Sequence, residues 1–231
     1  MNKTKFEGFL NRYSLLGAVE SVMINVDGEN VSTRMISDDK TLLGSVSMKD
    51  ETMPDGRYGI YTTSQLKSLL SVLDNNIKVT ANDHSLIFND EVSEVRYMKS
   101  QEAVIPSVPD LKAQPDFDVE IKLDDEFVSR FIKSTGALSD SDKFTFTSYK
   151  GVHEIVLGFS TINTNRISIK VNATVEKDVE SITFSANFLK AILSANRGST
   201  ESSLKISTAG LCVASFTGGD YTSEYFLVEI K

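Results

Sequence analysis

Proline is scarce in this chain of 231 residues, with four in all; cysteine occurs once, at Cys212, and histidine twice, at His84 and His153. No apolar run approaches the ~18 residues that a membrane-spanning helix needs. Each shortage excludes something. A single cysteine cannot form a disulfide within the chain. The two histidines stand alone in "NDHSL" and "GVHEI", each with one acid beside it, and Cys212 lies inside the apolar stretch "GLCVASF". All three read as packing or surface residues. No HExxH, CxxC, GxSxG or P-loop spacing occurs, so the sequence gives no support to a zinc hydrolase, a serine nucleophile or a nucleotide cradle. "SDSD" (139–142) spaces two carboxylates as a calcium loop does, but lacks the glycine and the distal glutamate of such a loop, and reads as a solvated turn. Catalytic residues, metal and cofactor are therefore all expected to be none. The lone cysteine, with neither a signal-peptide pattern nor a spanning segment, sets the expectation of a soluble protein in a reducing, cytoplasmic compartment, with no membrane partner. In that setting "NVS" at Asn30 and "NAT" at Asn172 match the glycosylation pattern by chance.

What is present is a globular composition, 40% hydrophobic, with a net charge of −8 and a pI of about 4.9. Taken alone, that acidity argues against a nucleic-acid partner. The scarce prolines are concentrated: Pro106, Pro109 and Pro115 all fall in "VIPSVPDLKAQPDF" near the middle of the chain. Proline fixes φ and removes a backbone donor, so this segment belongs to neither helix nor sheet. It reads as a tether. Flexible linkers are rich in glycine and serine, whereas this one carries Val104, Ile105, Val108, Leu111 and Phe117. It reads as laid against a surface.

The same order of elements occurs on both sides of the tether. "KTKFEGFLNRYSLL" (3–16) places Phe6, Phe9, Leu10 and Tyr13 on one helical face. Strands are expected at 21–26, 31–36, 42–48 and 57–62. A second helix follows at 63–73, and then "NIKVTA", "HSLIF" and "SEVRYMK". In the second half the strand "FDVEIKL" (117–123) leads into a helix over 125–138. Strands near 143–149, 152–159 and 165–174, "SITFS", a helix over 186–196, and strands near 203–208, 211–216 and 223–230 complete it. "QLKSLLS" (65–71) overlays "FLKAILS" (188–194), and Phe6, Leu10 and Arg12 overlay Phe127, Phe131 and Lys133. The reading is a duplicated domain, 1–103 and 117–231, joined by a connector at 104–116. Each half is itself a pair of helix-plus-strands units.

Charge is unevenly spread over these elements. Over 3–16, 63–74, 125–138 and 186–197, each taken to its flanking charge, the helical segments hold eight basic and four acidic residues, a net +4, which leaves −12 for the remainder. Helical projection sets Lys5, Arg12, Lys67, Lys133, Lys190 and Arg197 away from the apolar faces, with Arg130 at the flank of its own. Exposed helix faces are charged in most proteins. Four basic ones in an acidic chain fit a polyanion lying along a single surface.

In this order, and in "VIPSVPDL", "TSQLKSLL" and "DYTSEYFLVEI", the chain resembles the DNA sliding clamps, above all the trimeric clamps of T4-like bacteriophages and more distantly those of eukaryotes and archaea. The resemblance spans the whole chain. It implies an α+β clamp fold of two similar domains, with helices lining a ring and antiparallel sheets outside, in a head-to-tail homotrimer. Such a ring encircles double-stranded DNA without sequence specificity. It tethers the replicative DNA polymerase and is opened by a clamp loader ATPase; late-transcription factors are further partners. The resemblance makes Lys5, Arg12, Lys67, Arg130, Lys133, Lys190 and Arg197 the DNA-facing set. It also implies a pocket for partner peptides formed by Met35, Ile36 and Leu42, by Val108 and Leu111 of the connector, and by Phe226 and Val228. The subunit interface would pair "SEVRYMK" (93–99), with Tyr97, against "NRISIKV" (165–171), with Ile169. Two alternatives stand beside this reading. One is a phage tail or capsid component with no DNA role. The other is an enzyme built from aspartate and glutamate alone.

Overall fold

Each helix begins where the sequence supplies an acceptor for its unpaired first N–H groups. In the computed structural model, which describes every residue except 111–113, 161, 163 and 177, Asn2 caps α1 (Lys3–Ser14), Asp124 caps α3 (Asp125–Ala137) and Ser185 caps α4 (Ala186–Ala195). The fourth helix, α2 (Thr63–Leu70), has no cap from Thr62. Its Ser64 N–H instead donates to the Glu20 carboxylate at 2.8 Å. Helix α1 ends in three consecutive left-handed residues, Leu15, Leu16 and Gly17, at φ 46°, 62° and 95°. Among the described residues no helix is long and apolar enough to cross a membrane.

The strands are β1 (Val22–Asp27), β2 (Asn30–Ile36), β3 (Leu42–Lys49), β4 (Gly56–Ile60), β5 (Lys78–Ala81), β6 (Ser85–Asn89) and β7 (Glu94–Met98) before the connector. After it come β8 (Val119–Lys122), β9 (Lys143–Tyr149), β10 (Val152–Leu157), β11 (Ile167–Lys170), β12 (Ala173–Val175), β13 (Val179–Ser185), β14 (Glu201–Ser207), β15 (Leu211–Gly218) and β16 (Tyr221–Val228). The chain divides into two units. The first is Met1–Pro109 with Asp220–Ser223; the second is Asp110–Gly219 with Glu224–Lys231.

In the first unit, β4-β1-β2-β3 lie side by side, and the start of β16 lies next to β3. A second sheet, β5-β6-β7, has β7 at its edge. Phe6, Phe9, Leu10 and Tyr13 of α1 are fully buried, with Phe6 stacked on Phe9 and tilted against Phe88. The Tyr13 hydroxyl lies 3.0 Å from Thr63 Oγ1, and burial pushes its pKa up.

In the second unit β11-β10-β9-β13 form one sheet with β11 at its edge, and β12-β8-β14-β15 continue to the remainder of β16. Helices α3 and α4 pack together, over a chain of rings running Phe127–Phe131–Phe144–Phe184 with centroids 5.9, 5.8 and 5.7 Å apart. Cys212 is buried here, and burial raises its thiol pKa.

One expected strand proves to be two. The segment expected at 165–174 breaks at Val171–Asn172. Ile169 pairs with Ile155 in one sheet, and Thr174 pairs with Glu120 in the other. Alternation over ten residues does not reveal that a chain changes partner midway.

Candidate nucleic-acid interface and partner surface

The seven cations fall into two groups. Lys5 and Arg12 project from one side of α1 and are taken up by the start of β16. Lys5 Nζ is 2.8 Å from the Asp220 carboxylate, and its backbone carbonyl accepts the Tyr221 hydroxyl at 2.7 Å. The Arg12 guanidinium lies 3.8 Å over the Tyr221 ring and donates to the Gly8 carbonyl at 3.0 Å. Burial, the largest influence, raises the Tyr221 pKa against the opposing pull of Arg12. Gly8 is the glycine this packing requires. A Cβ there would stand 2.6 Å from the Tyr221 hydroxyl. Helical projection placed Lys5 and Arg12 on an outer face, but it could not see a tyrosine more than 200 positions away. The signal available in the sequence was the glycine itself, which disfavours a helix interior.

The remaining cations are more open. Arg130 pairs with Glu126 one turn back at 2.6 Å. Lys133 is exposed on α3, Lys67 and Lys190 are half-buried, and Arg197 is exposed just beyond the end of α4. Such groups suit contact with a screened, mobile polyanion, because exposed ion pairs contribute only about 0–1 kcal/mol each.

Strand register divides the residues of the expected peptide pocket between two faces. Met35 and Leu42 are 1% and 0% exposed and point into the core; Phe226 is 2% exposed. These three offer no lining to a ligand. Side chains alternate along a strand, so a reading displaced by one residue takes the wrong face. Ile36 is half-buried and sits directly across from Leu43. Arg34, two residues before Ile36 and so on the same face, donates through Nη2 to the Pro109 carbonyl.

The connector crosses this face strand by strand. Ser100 bridges Gly59 of β4. Arg57 holds Glu102 at 2.6 Å while also donating to Asn25 of β1. Arg34 of β2 then takes Pro109. The half-buried Val108 adjoins that last anchor. Ile36 and Leu43 on this face and Val108 of the connector are thus the half-buried apolar side chains on this side, and the sequence did not single out Leu43. Val228 is 45% exposed. Leu111 lies outside the described residues.

Tyr97 and Ile169 are both buried, Tyr97 with its hydroxyl accepting the Thr62 N–H at 3.2 Å. Their side chains face inward, while their strands, β7 and β11, are sheet edges. Among the described residues no cluster of three or more His, Cys, Asp or Glu could hold a metal ion.

No protein-family model and no curated protein matches this sequence. Solved structures do. Proliferating cellular nuclear antigen from Entamoeba histolytica superposes with a TM-score of 0.74 at 14% identity, over 100% of this chain and 96% of that one. PCNA of A. fulgidus, solved with the C-terminal region of FEN-1 bound, superposes at 0.75 with 15% identity, over 100% and 97%. The chain has the PCNA clamp fold, helices and antiparallel sheets matched from end to end.

Proposed function

We propose that the protein is a sliding clamp, without catalytic activity of its own, that encircles duplex DNA as a homotrimer and tethers a replicative polymerase. The observation that carries the reading is the coincidence of a full-length clamp fold with basic helices in a chain of net charge −8. Lys67, Lys133, Lys190 and Arg197 are the residues we assign to the DNA. Their contacts are to phosphate and so independent of sequence, which a protein that must slide requires.

The ring closes when β7 of one copy adds to β11 of the next, because a head-to-tail contact that closes leaves no open edge. The surface at Ile36, Leu43 and Val108 receives a short partner peptide of the kind FEN-1 presents to the A. fulgidus protein. The polymerase, the clamp loader ATPase and late-transcription factors are its proposed users, in a T4-like bacteriophage setting.

The test is topological. Protein loaded on closed circular DNA is retained and is lost when the DNA is linearised. Reversal of Lys67, Lys190 and Arg197 to Glu reduces loading and processive primer extension most clearly at low salt. Reversal of Asp38, Glu176 and Asp178 to Lys does not. Equal retention on circular and linear DNA, or equal loss in both variants, overturns the reading in favour of a structural protein with no DNA role.

A further inference from the structure

The outward face of β1 to β4 is basic, in a chain whose net charge is −8. Strand alternation fixes which side chains stand on it. Met23 lies across from Arg34, and Arg34 from Ser45. One step along, Asn25 lies across from Arg57 and from Ser32, and Ser32 from Ser47. From that row to Ile36 and Leu43, no strand side chain on this face is a carboxylate and two are arginines. In the β2–β3 turn the Asp39 carboxylate is engaged locally. It accepts from the Ser37 hydroxyl at 2.5 Å and from the Thr41 N–H and hydroxyl at 3.1 and 2.9 Å. Asp38 and Lys40 beside it are exposed and of opposite sign.

The chain itself displays what this face accepts. Arg57 holds the Glu102 carboxylate of the connector at 2.6 Å, while its Nε donates to Asn25 at 3.2 Å. The guanidinium is thus braced by the sheet on one side and met by a carboxylate on the other. Arg34, two residues from Ile36 on the same strand face, donates to the Pro109 carbonyl. Both arginines are engaged by one segment, and its composition is acidic and apolar. "EAVIPSVPD" (102–110) carries two acids, four aliphatic residues counting its alanine, and no base.

Resting on the partner surface proposed above, we infer that its occupant is an acidic peptide, with carboxylates beside a pair of apolar residues, and that it competes with the connector for Arg34 and Arg57. The apolar pair meets Ile36 and Leu43, and the carboxylates meet the arginines. A guanidinium fork matches a carboxylate with two parallel hydrogen bonds, a geometry that an ammonium group does not offer. The connector is then a ligand of its own surface. It covers the cations in the free protein, and the partner gains by the difference between its contacts and the connector's.

Selection from a random-sequence peptide library tests this. Peptides enriched on the wild-type protein carry Asp or Glu beside an apolar pair. The same selection on Arg34→Gln with Arg57→Gln keeps the apolar pair and loses the acids. An enriched peptide titrated by calorimetry binds about tenfold or more tightly than its Asn/Gln counterpart, because a hydrogen bond to a charged group outweighs a neutral one. The advantage shrinks toward 1 M salt, where the screening length is only ~3 Å. Glu102→Gln weakens the connector's hold on Arg57 and tightens peptide binding. Bound peptide also removes hydrogen-exchange protection from the Val104 and Ile105 amides, which donate to the Gln101 and Glu102 carbonyls. Unchanged thermal unfolding of the variants excludes misfolding as the cause. Enriched peptides that lose binding on Ile36→Asp with Leu43→Asp, but show no acidic preference or keep it in the double Gln variant, overturn the acidic partner and leave the surface standing. Enriched peptides that bind the Ile36→Asp, Leu43→Asp variant as well as the wild type overturn both.

Discussion

Replacing Gly8 with alanine should destabilise the protein, although the same change in an ordinary helix interior stabilises it by about 1 kcal/mol. The methyl group would stand 2.6 Å from the Tyr221 hydroxyl oxygen, 3.2 Å from Cζ and 3.3 Å from the Arg12 guanidinium. The hydroxyl is the far end of a side chain and can move away. Moving it breaks the 2.7 Å bond to the Lys5 carbonyl, worth about 0.5–1.5 kcal/mol, and displaces the ring beneath Arg12, worth about 0.5–1 kcal/mol at a half-exposed site. Strain in whichever group gives way adds to these losses, so together they outweigh the helix-propensity gain and the net effect is a loss of about 1 kcal/mol.

Gly136 supplies the control. It lies within α3, and a Cβ there meets nothing within 4 Å, so Gly136→Ala should stabilise by a few tenths to about 1 kcal/mol. Urea midpoints of the two variants should therefore shift in opposite directions. Tyr221→Phe removes the closest atom. In that background Gly8→Ala should recover most of its loss, an interaction of the kind a double-mutant cycle measures. If Gly8→Ala raises the midpoint as Gly136→Ala does, Tyr221 is not held against α1.

Three further outcomes are expected. Gly59→Ala overlaps the Ser100 carbonyl, so the Ser100 amide should lose hydrogen-exchange protection as the connector lifts; retained protection would show that the connector is held without this bridge. Ile36→Asp with Leu43→Asp should weaken binding of a polymerase C-terminal peptide by tenfold or more, given ~1.5–3 kcal/mol for each fully buried aliphatic side chain. Met35→Leu, on the opposite face, should leave it unchanged, and the reverse pattern in calorimetry would return the pocket to the core-side register. The Asp74 N–H, followed by those of Val92 and Ser93, holds the Asp90 carboxylate below its usual pKa. Its contribution is thus complete above the unfolded value of about 3.9 and is lost as pH falls through the lower folded value. The Val92 and Ser93 amide resonances should move only below about pH 4, and a midpoint at or above the ordinary value would contradict the turn.

The order of helices and strands was legible in the sequence because each is set by local periodicity. Phe6, Phe9, Leu10 and Tyr13 announce α1, and Leu66 and Leu70 announce α2, although that helix stops three residues short of the repeat at Leu73. What was not legible depends on parity or on distant residues. Met35 and Ile36 are both apolar neighbours in an apolar strand, and only the pairing of β2 with β3 decides which of them faces the connector. Lys5 and Arg12 look like solvent-facing cations until the far end of the chain places Asp220 and Tyr221 beside them. The break at Val171–Asn172 carries no glycine or proline, so nothing local marks the point where the chain leaves one sheet for another.

The burial of Cys212 has a practical consequence. It is the only thiol in the chain, it is inaccessible in the folded state, and its pKa is raised by that burial. A thiol reagent can modify the native protein only when the second unit opens, because the reactive species is an exposed thiolate. The modification rate of the unaltered protein is therefore a clock for that opening. A cysteine introduced at the surface will be labelled long before the clock has run, so fluorescent probes can be attached at single chosen positions without first removing the native residue.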